Sequence, residues 1–379
     1  MDKKILGAIG TAIAIAMTVL ILLPNSPTPN SSDREPIATS HNEKLGMVIN
    51  PPSKQVKLSE LSNVYSEASL TGIGRNNMYL FWNHIEPEKD QYNWKDTDII
   101  MNLNKQNGLQ VTLYFSVVNG RITGPYPDWM GEPKLDSALE KNLVKTLDTI
   151  LNRYEIIDHV IIGGELDSYF NDAHGNVAQY KEFFNNVYTE LKQKHPNIKF
   201  GNGFSLNNII NKSLEHYVTD LNVGDFVAFT YLPVDRLNDI TKSPEEAQKD
   251  LQKMLELVPD QKIGVFEISW STSDFVHGTE QNQTKFISES YDFYRKNASK
   301  FEFFTWYRQY DRPDETCGVD QNLPSSKVVL ESGSGLGGNE HVKERLSKYT
   351  CNAGLLKTDN TQKSGWAEIK KQIQLSANS

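Results

Sequence analysis

The 379-residue sequence predicts an α/β protein, a (β/α)8 TIM barrel preceded by an N-terminal hydrophobic segment and a disordered tether. Short apolar, β-branched or aromatic runs alternate with longer amphipathic segments, a pattern that specifies a parallel sheet covered by helices. Eight such repeats in about 300 residues fit a closed barrel better than an open doubly wound sheet. No GxGxxG turn follows the first strand, so a dinucleotide-binding fold is not favoured.

The predicted strands are short and bounded by turn or helix signals. They cover Leu45 to Ile49, Asn77 to Trp82, Gln110 to Phe115, His159 to Gly164, Ile198 to Gly203, Phe226 to Tyr231, Lys262 to Ile268 and Phe301 to Tyr307. Predicted helices include residues 94–107, 137–154, 177–194, 243–257 and 284–297, which carry apolar residues at three- and four-residue spacing. The second strand could instead continue a loop, and the count would then be seven.

The N-terminus is apolar after Met1-Asp2-Lys3-Lys4. The uncharged run from Ile5 to Leu23 is long enough to cross most of a bilayer and lacks the amphipathic face of a core helix. Residues 1–24 are therefore predicted to be a signal peptide or a membrane anchor, with an uncleaved anchor favoured. The protein would then lie on the extracellular face of the membrane, or be secreted if the segment is cleaved.

Domain boundaries follow from composition. Residues 25–43 are rich in Pro, Ser and Asn and are predicted to form a disordered linker, so the barrel occupies residues 44–379. The two cysteines, Cys317 and Cys351, can pair in an exported protein, and the disulfide would stabilise the fold by about 3 to 4 kcal/mol in the chain-entropy model. Two free thiols are the alternative.

The charge balance limits the partners. With 39 basic and 48 acidic residues the formal charge is -9, which argues against a nucleic-acid partner. There is no HExxH motif or close His/Cys cluster for a metal, and no G-x-S-x-G elbow for serine chemistry. No cofactor is predicted, and any membrane contact would be made through the N-terminal segment only.

Two predicted strands run into a glutamate. Glu165 ends the fourth strand and Glu267 lies near the end of the seventh. The carboxyl ends of barrel strands meet at one mouth of the barrel. A pair of carboxylates placed there is the smallest set of catalytic groups that cleaves a glycosidic bond. Alternatively, either glutamate could cap the next helix or pair with a lysine.

Alternation along each strand predicts which neighbours share the inner face. If Glu267 points inward, Ile263 and Val265 do as well, and if Glu165 points inward, Ile161 and Gly163 share its face.

Aromatic side chains that could bind a sugar follow other strands. Trp82, Tyr231 and Trp306 all lie near predicted strand ends, and Tyr114 and Trp270 are further candidates. Core packing is the alternative interpretation for each, because aromatic residues dominate buried area.

Residues 82–94, WNHIEPEKDQYNW, look like the W-x-x-I-E-P-x-x-G-x-Y-x-W segment after strand two of many clan A glycoside hydrolases. Asp90 stands where that pattern has glycine, and the resemblance gives Glu86 a structural role in the loop. Residues 163–169, GGELDSY, are similar to the G-N-E-x-D-x-Y motif of strand four. That similarity implies a general acid/base role for Glu165.

The same resemblance extends to the end of the chain. Glu267 matches the strand-seven nucleophile, Tyr231 a strand-six tyrosine that often contacts it, and Trp306 a strand-eight tryptophan beneath the sugar. Residues 353–366 resemble the closing segment that follows strand eight. The implied activity is O-glycosidic cleavage in an oligo- or polysaccharide or glycoconjugate, with retention of configuration; the family within the clan is not assigned.

The main departure from the pattern is Gly164. The motif has an asparagine there that hydrogen-bonds the sugar 2-hydroxyl, an interaction that can supply several kcal/mol in the transition state. Its loss favours an alternative function, a catalytically inactive barrel that binds extracellular glycans. The presence of both glutamates favours an enzyme.

Overall fold

Eight parallel strands close into a barrel in the computed structural model, which describes residues 20–22, 41–172, 175–313, 317 and 340–377. The strands are β1 Asn42–Met47, β2 Ile73–Tyr79, β3 Gln110–Asn119, β4 Ile157–Gly164, β5 Lys199–Ser205, β6 Phe226–Tyr231, β7 Lys262–Ile268 and β8 Phe301–Trp306. Each strand pairs in parallel with the next, and β8 pairs with β1, so the sheet has no free edge. The predicted TIM barrel is confirmed.

Helices connect these strands. Their bounds are α1 Leu58–Ser69, α2 Trp82–Ile85, α3 Lys95–Gln106, α4 Ser137–Arg153, α5 Leu166–Asp172, α6 Val177–Lys194, α7 Leu206–Lys212, α8 Glu215–Leu221, α9 Pro244–Leu257, α10 Glu280–Lys296, α11 Glu340–Cys351 and α12 Ser364–Leu375. Single 3-10 turns occur at Asp128–Met130, Asp274–Val276 and Ala298–Lys300.

Local sequence explains where the predicted helices begin. Asp136 accepts hydrogen bonds from the backbone N–H groups of Ala138 and Leu139 at 3.0 and 3.1 Å, which caps α4. Ser243 and Glu246 form a reciprocal capping box at the start of α9. These caps satisfy N–H groups that have no partner within the helix.

The second strand shows the largest difference in bounds. It begins at Ile73, four residues before the predicted start, and ends at Tyr79, because Trp82 opens the short helix α2. The segment is nevertheless a strand, paired with β1 and β3, so the count of eight is correct.

Three shorter strands lie outside the barrel ring. Leu20–Leu22 pairs in parallel with Gln55–Lys57, and Ile122–Thr123 pairs antiparallel with the end of β3. The rest of the predicted N-terminal segment and nearly all of the linker lie outside the described residues. Within those residues, no helix has the length and apolar character needed to cross a membrane.

The buried apolar side chains form two clusters, one on each side of the barrel strands. A large one fills the space between strands and helices, and a small one lies inside the barrel. The inner cluster consists of Tyr114, Ile161, Phe226, Ala228, Phe266 and Phe303, with Tyr79 packed against it. This division follows from the alternation of side chains along each strand.

A charged cluster lies below the inner aromatic residues, at the amino ends of the strands. Arg75 binds both carboxylate oxygens of Asp158 at 2.6 and 2.7 Å, and His159 lies 2.8 Å from the same carboxylate. Although burial opposes ionisation, Arg75 and His159 hold the pKa of Asp158 well below its usual range. The cluster is part of the structural end of the barrel, opposite the mouth.

Candidate active site

A β-bulge in β7 places Glu267. The pairing register of β7 shifts after Val265 against both β6 and β8. Phe266 lies in the inner cluster, whereas Val265 and Ile263 belong to the cluster that faces the helices. The prediction that these two residues point inward with Glu267 is wrong, because the bulge interrupts the alternation and re-aims the residue that follows Phe266.

Asn77 of β2 holds this bulge across the barrel. Its Nδ2 donates a hydrogen bond to the carbonyl of Phe266, and its Oδ1 accepts one from Thr305 Oγ1 at 3.3 Å. Sequence reasoning missed Asn77. Asn77 lies two residues before Tyr79 and shares its face, but the sequence alone does not show that this face of the strand points inward.

The carboxyl of Glu267 is fully buried. Its Oε1 accepts a hydrogen bond from Tyr79 Oη, and its Oε2 has no hydrogen-bond partner among the described residues. Burial raises the pKa of Glu267 to about 8, against the opposing effects of the Tyr79 hydrogen bond and the positive charge of Arg308. Tyr79 is a further site residue that the sequence analysis did not identify.

Glu165 lies immediately after β4, in a left-handed backbone conformation with φ of 48°. Its carbonyl accepts the N–H of Ser168 at 3.0 Å as α5 begins. The side chain is 9% exposed, and burial together with the nearby Asp167 and Glu267 raises the pKa of Glu165. A non-glycine residue held in this conformation is uncommon and is typical of functional sites.

Asp167 lies in the same turn, two residues after Glu165. It is fully buried, accepts the Ser205 N–H at 2.8 Å and is also bound by the Asn208 side chain. Burial raises the pKa of Asp167 to about 6, although both hydrogen bonds oppose that rise. Asp167 therefore adds negative charge beside Glu165 whenever it ionises.

Gly164 faces the inside of the barrel. A Cβ atom added to it would lie 1.7 Å from the hydroxyl oxygen of Tyr114 and 2.3 and 2.6 Å from two of its ring carbons. That hydroxyl donates a hydrogen bond to Asn119 Oδ1 at 2.9 Å. Tyr114 thus occupies the space that a side chain at position 164 would need.

Gly163 faces the surrounding helices, on the opposite side of the strand from Gly164. A Cβ there would lie 2.0 Å from the hydroxyl of Tyr180, on α6. Ile161 lies in the inner cluster as predicted, but Gly163 does not share its face, because the pairing register of β4 shifts between the two residues.

Among the predicted aromatic residues, the structure places Trp82 beside Glu86 rather than beside the acids. Trp82 Nε1 donates to Glu86 Oε2 at 2.8 Å, and the indole packs on Phe115 with ring centroids 5.6 Å apart. Glu86 also accepts from Thr146 and from the Asp90 N–H, which gives it the structural role that the resemblance implies. Asp90 adopts φ of 65°, a conformation that suits the glycine of the related pattern.

Tyr231 and Trp306 lie on the helix side of the sheet. Tyr231 Oη donates to Asp250 of α9 at 2.5 Å, so Tyr79, not Tyr231, contacts Glu267. Trp306 packs toward Phe286 of α10, with ring centroids 6.4 Å apart, and Trp270 packs against the same ring at 5.2 Å. None of these three side chains belongs to the inner cluster.

A small cavity lies beside Glu165. Its volume is about 10 Å³, enough for about one water molecule, and its walls include Tyr79, Tyr114, Gly203 and Phe266. The described residues contain no group of three or more His, Cys, Asp or Glu side chains placed to hold a metal ion. Elsewhere, Cys317 and Cys351 form a disulfide with their Cα atoms 5.8 Å apart.

The (β/α)8 barrel fold of this chain is shared by several solved glycoside hydrolase structures. A family 39 glycoside hydrolase from the gut symbiont Bacteroides cellulosilyticus WH2 superposes with a TM-score of 0.61 at 15% identity, covering 89% of this chain and 64% of that one. This chain therefore spans less than two thirds of that protein.

Two further solved structures share the fold. A GH5_18 protein from Streptomyces cattleya in complex with Manb1-4GlcNAc gives a TM-score of 0.63 at 10% identity, covering 88% of this chain and 80% of that one. Xylanase 10B from Thermotoga maritima gives 0.57 at 13% identity, covering 89% and 96%. No protein-family model and no curated protein sequence matches the chain.

Proposed function

We propose that the protein is a retaining glycoside hydrolase in which Glu267 is the nucleophile and Glu165 the general acid/base. The observation that carries the proposal is the pair of buried carboxyls at the ends of β4 and β7, held in different environments. Tyr79 and Arg308 favour the ionised form of Glu267, whereas Asp167 and the charge on Glu267 favour the protonated form of Glu165. Acid and nucleophile are commonly separated in this way.

The proposed reaction uses each group twice. The Glu267 carboxylate attacks the anomeric carbon and forms a glycosyl ester, while Glu165 gives its proton to the departing glycosidic oxygen. Glu165, now ionised, takes a proton from a water molecule that attacks the same carbon. The ester bond breaks, the sugar leaves with the water oxygen, and both carboxyls return to their starting states.

The substrate proposed is an oligosaccharide, polysaccharide or glycoconjugate. The related GH5_18 structure contains a bound disaccharide, which supports a saccharide ligand for this fold. A cavity with room for about one water molecule favours the second candidate function, a barrel that binds glycans without cleaving them. A sugar ring reaches the acids only if side chains at the mouth move.

Hydrolysis of a panel of aryl glycosides and polysaccharides by the full chain tests the proposal. Glu267→Gln is expected to lower kcat by on the order of 1,000-fold or more, because the nucleophile is lost. Glu165→Gln should lose much less on dinitrophenyl glycosides, whose leaving group needs no proton, and azide should restore its second step. Glu155→Gln, on an exposed turn, is the matched control.

Thermal melting of each variant checks that it is folded. A carboxyl whose pKa is raised on folding lowers stability as the pH rises from its ordinary value through the folded value, about 8 for Glu267. The Glu267→Gln variant should therefore melt at a higher temperature than the wild type at pH 8.

Folded wild-type protein that binds glycans but cleaves none would establish the second function. Activity that survives both substitutions would contradict the assigned roles.

We also propose that the N-terminal segment exports the barrel or anchors it on the extracellular face of the membrane. The disulfide between Cys317 and Cys351 supports this location, because disulfides persist in oxidising compartments. In the native host, the body of the protein should be cut by protease added outside intact cells, and both cysteines should resist thiol alkylation until reduced. Protection from protease together with two free thiols would contradict export.

A further inference from the structure

Arg308 is a buried cation on the segment that follows β8. Its side chain is 4% exposed, and its guanidinium lies 5.3 Å from the ring centroid of Tyr307. Nη1 donates a weak hydrogen bond to Tyr307 Oη at 3.4 Å, and Nε has no partner among the described residues. Arg308 thus lacks the bidentate carboxylate partner that a buried arginine usually has.

Among the described residues, no acid forms a hydrogen bond with Arg308. Asp311 forms an ion pair with Lys363 at 2.8 Å and accepts the Gly354 N–H at 3.0 Å. Glu267 accepts a hydrogen bond from Tyr79 through Oε1 alone, and Arg308 acts on this carboxyl through its charge and not through a hydrogen bond. Among the described residues, Arg308 therefore has no hydrogen-bonded carboxylate. The pKa of buried Arg312 falls to about 10 through its burial and the charge of Arg308, despite the opposing effect of Tyr307.

The backbone of Arg308 is strained. Its φ of 118° lies in a region that side chains other than glycine rarely adopt. The flanking residues are fixed, since the Tyr307 N–H bonds the Ile268 carbonyl at 2.8 Å and the Gln309 N–H bonds the Val48 carbonyl at 3.0 Å. The closing segment adds two bonds to the Gln309 carbonyl, at 2.8 and 2.9 Å. The surrounding structure thus holds an arginine where a glycine would be less strained.

We propose that Arg308 recognises an anionic group, a carboxylate or a sulfate ester, on the saccharide that binds between Glu165 and Glu267. Placing the saccharide there rests on the proposed function. An acidic sugar entering this mouth would be repelled by ionised Glu267, and a buried guanidinium offsets that repulsion while matching the geometry of either anion. The overall charge of -9 gives no long-range attraction for such a ligand, so recognition has to be local.

Binding of small ligands to the full chain tests this site without requiring turnover. By calorimetry the wild type should bind D-glucuronate or D-glucose 6-sulfate at least about 10-fold more tightly than D-glucose, as expected for a desolvated charge pair. The comparison of the two anions identifies which group is recognised, and inorganic sulfate reports on the charge alone.

Three variants of Arg308 separate ligand recognition from a structural role. Arg308→Gln should abolish the preference for the anion, and Arg308→Lys should keep part of it. Arg308→Gly removes both the strain and the buried charge, so it should melt no lower than the wild type while losing the preference. Arg236→Gln, which removes an exposed arginine, is the control for net charge and should leave the preference intact.

The proposal is overturned if the wild type does not prefer either anionic sugar, if the preference survives in Arg308→Gln, or if Arg308→Gly melts several degrees lower. Cleavage of neutral glycosides without any anion preference would refute this site and leave the proposed hydrolase intact. Binding of the anion that depends on Arg308, in a protein that cleaves no glycoside, would refute the hydrolase and leave the site intact.

Discussion

Replacing Gly164 by asparagine is expected to abolish most activity, although it restores the residue found in the related strand-four pattern. The new Cβ would lie 1.7 Å from the Tyr114 hydroxyl, so the Tyr114 ring would have to leave the inner cluster. Overpacking of this kind costs about 1 to 3 kcal/mol. It also displaces the aromatic wall beside Glu165, so kcat/KM should fall by at least about 100-fold, because catalysis is sensitive to displacements of about 1 Å.

Thermal melting and steady-state kinetics measure the two effects, and a second glycine provides the control. Gly203 lines the same cavity, but a Cβ there would meet its nearest atoms at 3.4 and 3.6 Å, which is ordinary contact. Gly203→Ala should therefore melt at the same temperature as the wild type, which makes it the control for stability. Adding Tyr114→Ala to Gly164→Asn should recover part of the lost stability. A Gly164→Asn variant that is as stable as Gly203→Ala would contradict the steric argument.

The Gly164 and Tyr114 pair shows what the sequence could and could not reveal. From the sequence, Gly164 is a missing hydrogen-bonding group. In the structure, the lack of a side chain at position 164 leaves room for the Tyr114 ring inside the barrel, where the Tyr114 hydroxyl donates a hydrogen bond to Asn119. The two residues are fifty positions apart and meet only because β3 and β4 are neighbours. One sequence carries no information about such a compensating pair.

Periodicity predicted the strands well because it depends on local patterns. Seven of the eight predicted strands begin within three residues of their positions in the structure, and Glu165 and Glu267 both lie at the mouth. The interior-facing prediction failed on β7 and at Gly163 because bulges change the face of a residue without changing the pattern. Bulges depend on partners in other strands, such as Asn77 for Phe266.

Tyr231 and Trp306, predicted to bind the sugar, lie away from the acids for a different reason, which is the face that they occupy on their strands. Ala228 and Phe303 point into the barrel, so Tyr231 and Trp306, each three residues later on a regular strand, must point to the helices. Position near a strand end does not determine which face a side chain occupies. The same alternation places Asn77 and Tyr79 on one face of β2.

Replacing Tyr79 by phenylalanine is expected to weaken the proposed nucleophile. The Tyr79 hydroxyl makes the one hydrogen bond that Glu267 receives from the described residues, and burial keeps the pKa of Tyr79 well above its usual range, so it remains a donor. Hydrogen bonds to charged groups contribute about 1.5 to 3 kcal/mol, so kcat/KM at pH 7 should fall by about 10- to 100-fold. The volume of the side chain is nearly unchanged, so the fold should persist.

The pH profile of Tyr79→Phe identifies the cause of that loss. Glu267 must be ionised to attack, so the acid limb of kcat/KM reports its pKa, which is about 8 in the folded protein and should rise further without the hydroxyl. The acid limb should therefore move to higher pH. Tyr291→Phe removes a buried hydroxyl that has no hydrogen-bond partner in the described part of the chain, so it should leave the profile unchanged. If Tyr79→Phe is slower but its acid limb stays in place, the pKa of Glu267 has not changed. The Tyr79 hydroxyl would then act on the substrate and not on Glu267, which would contradict the proposed role.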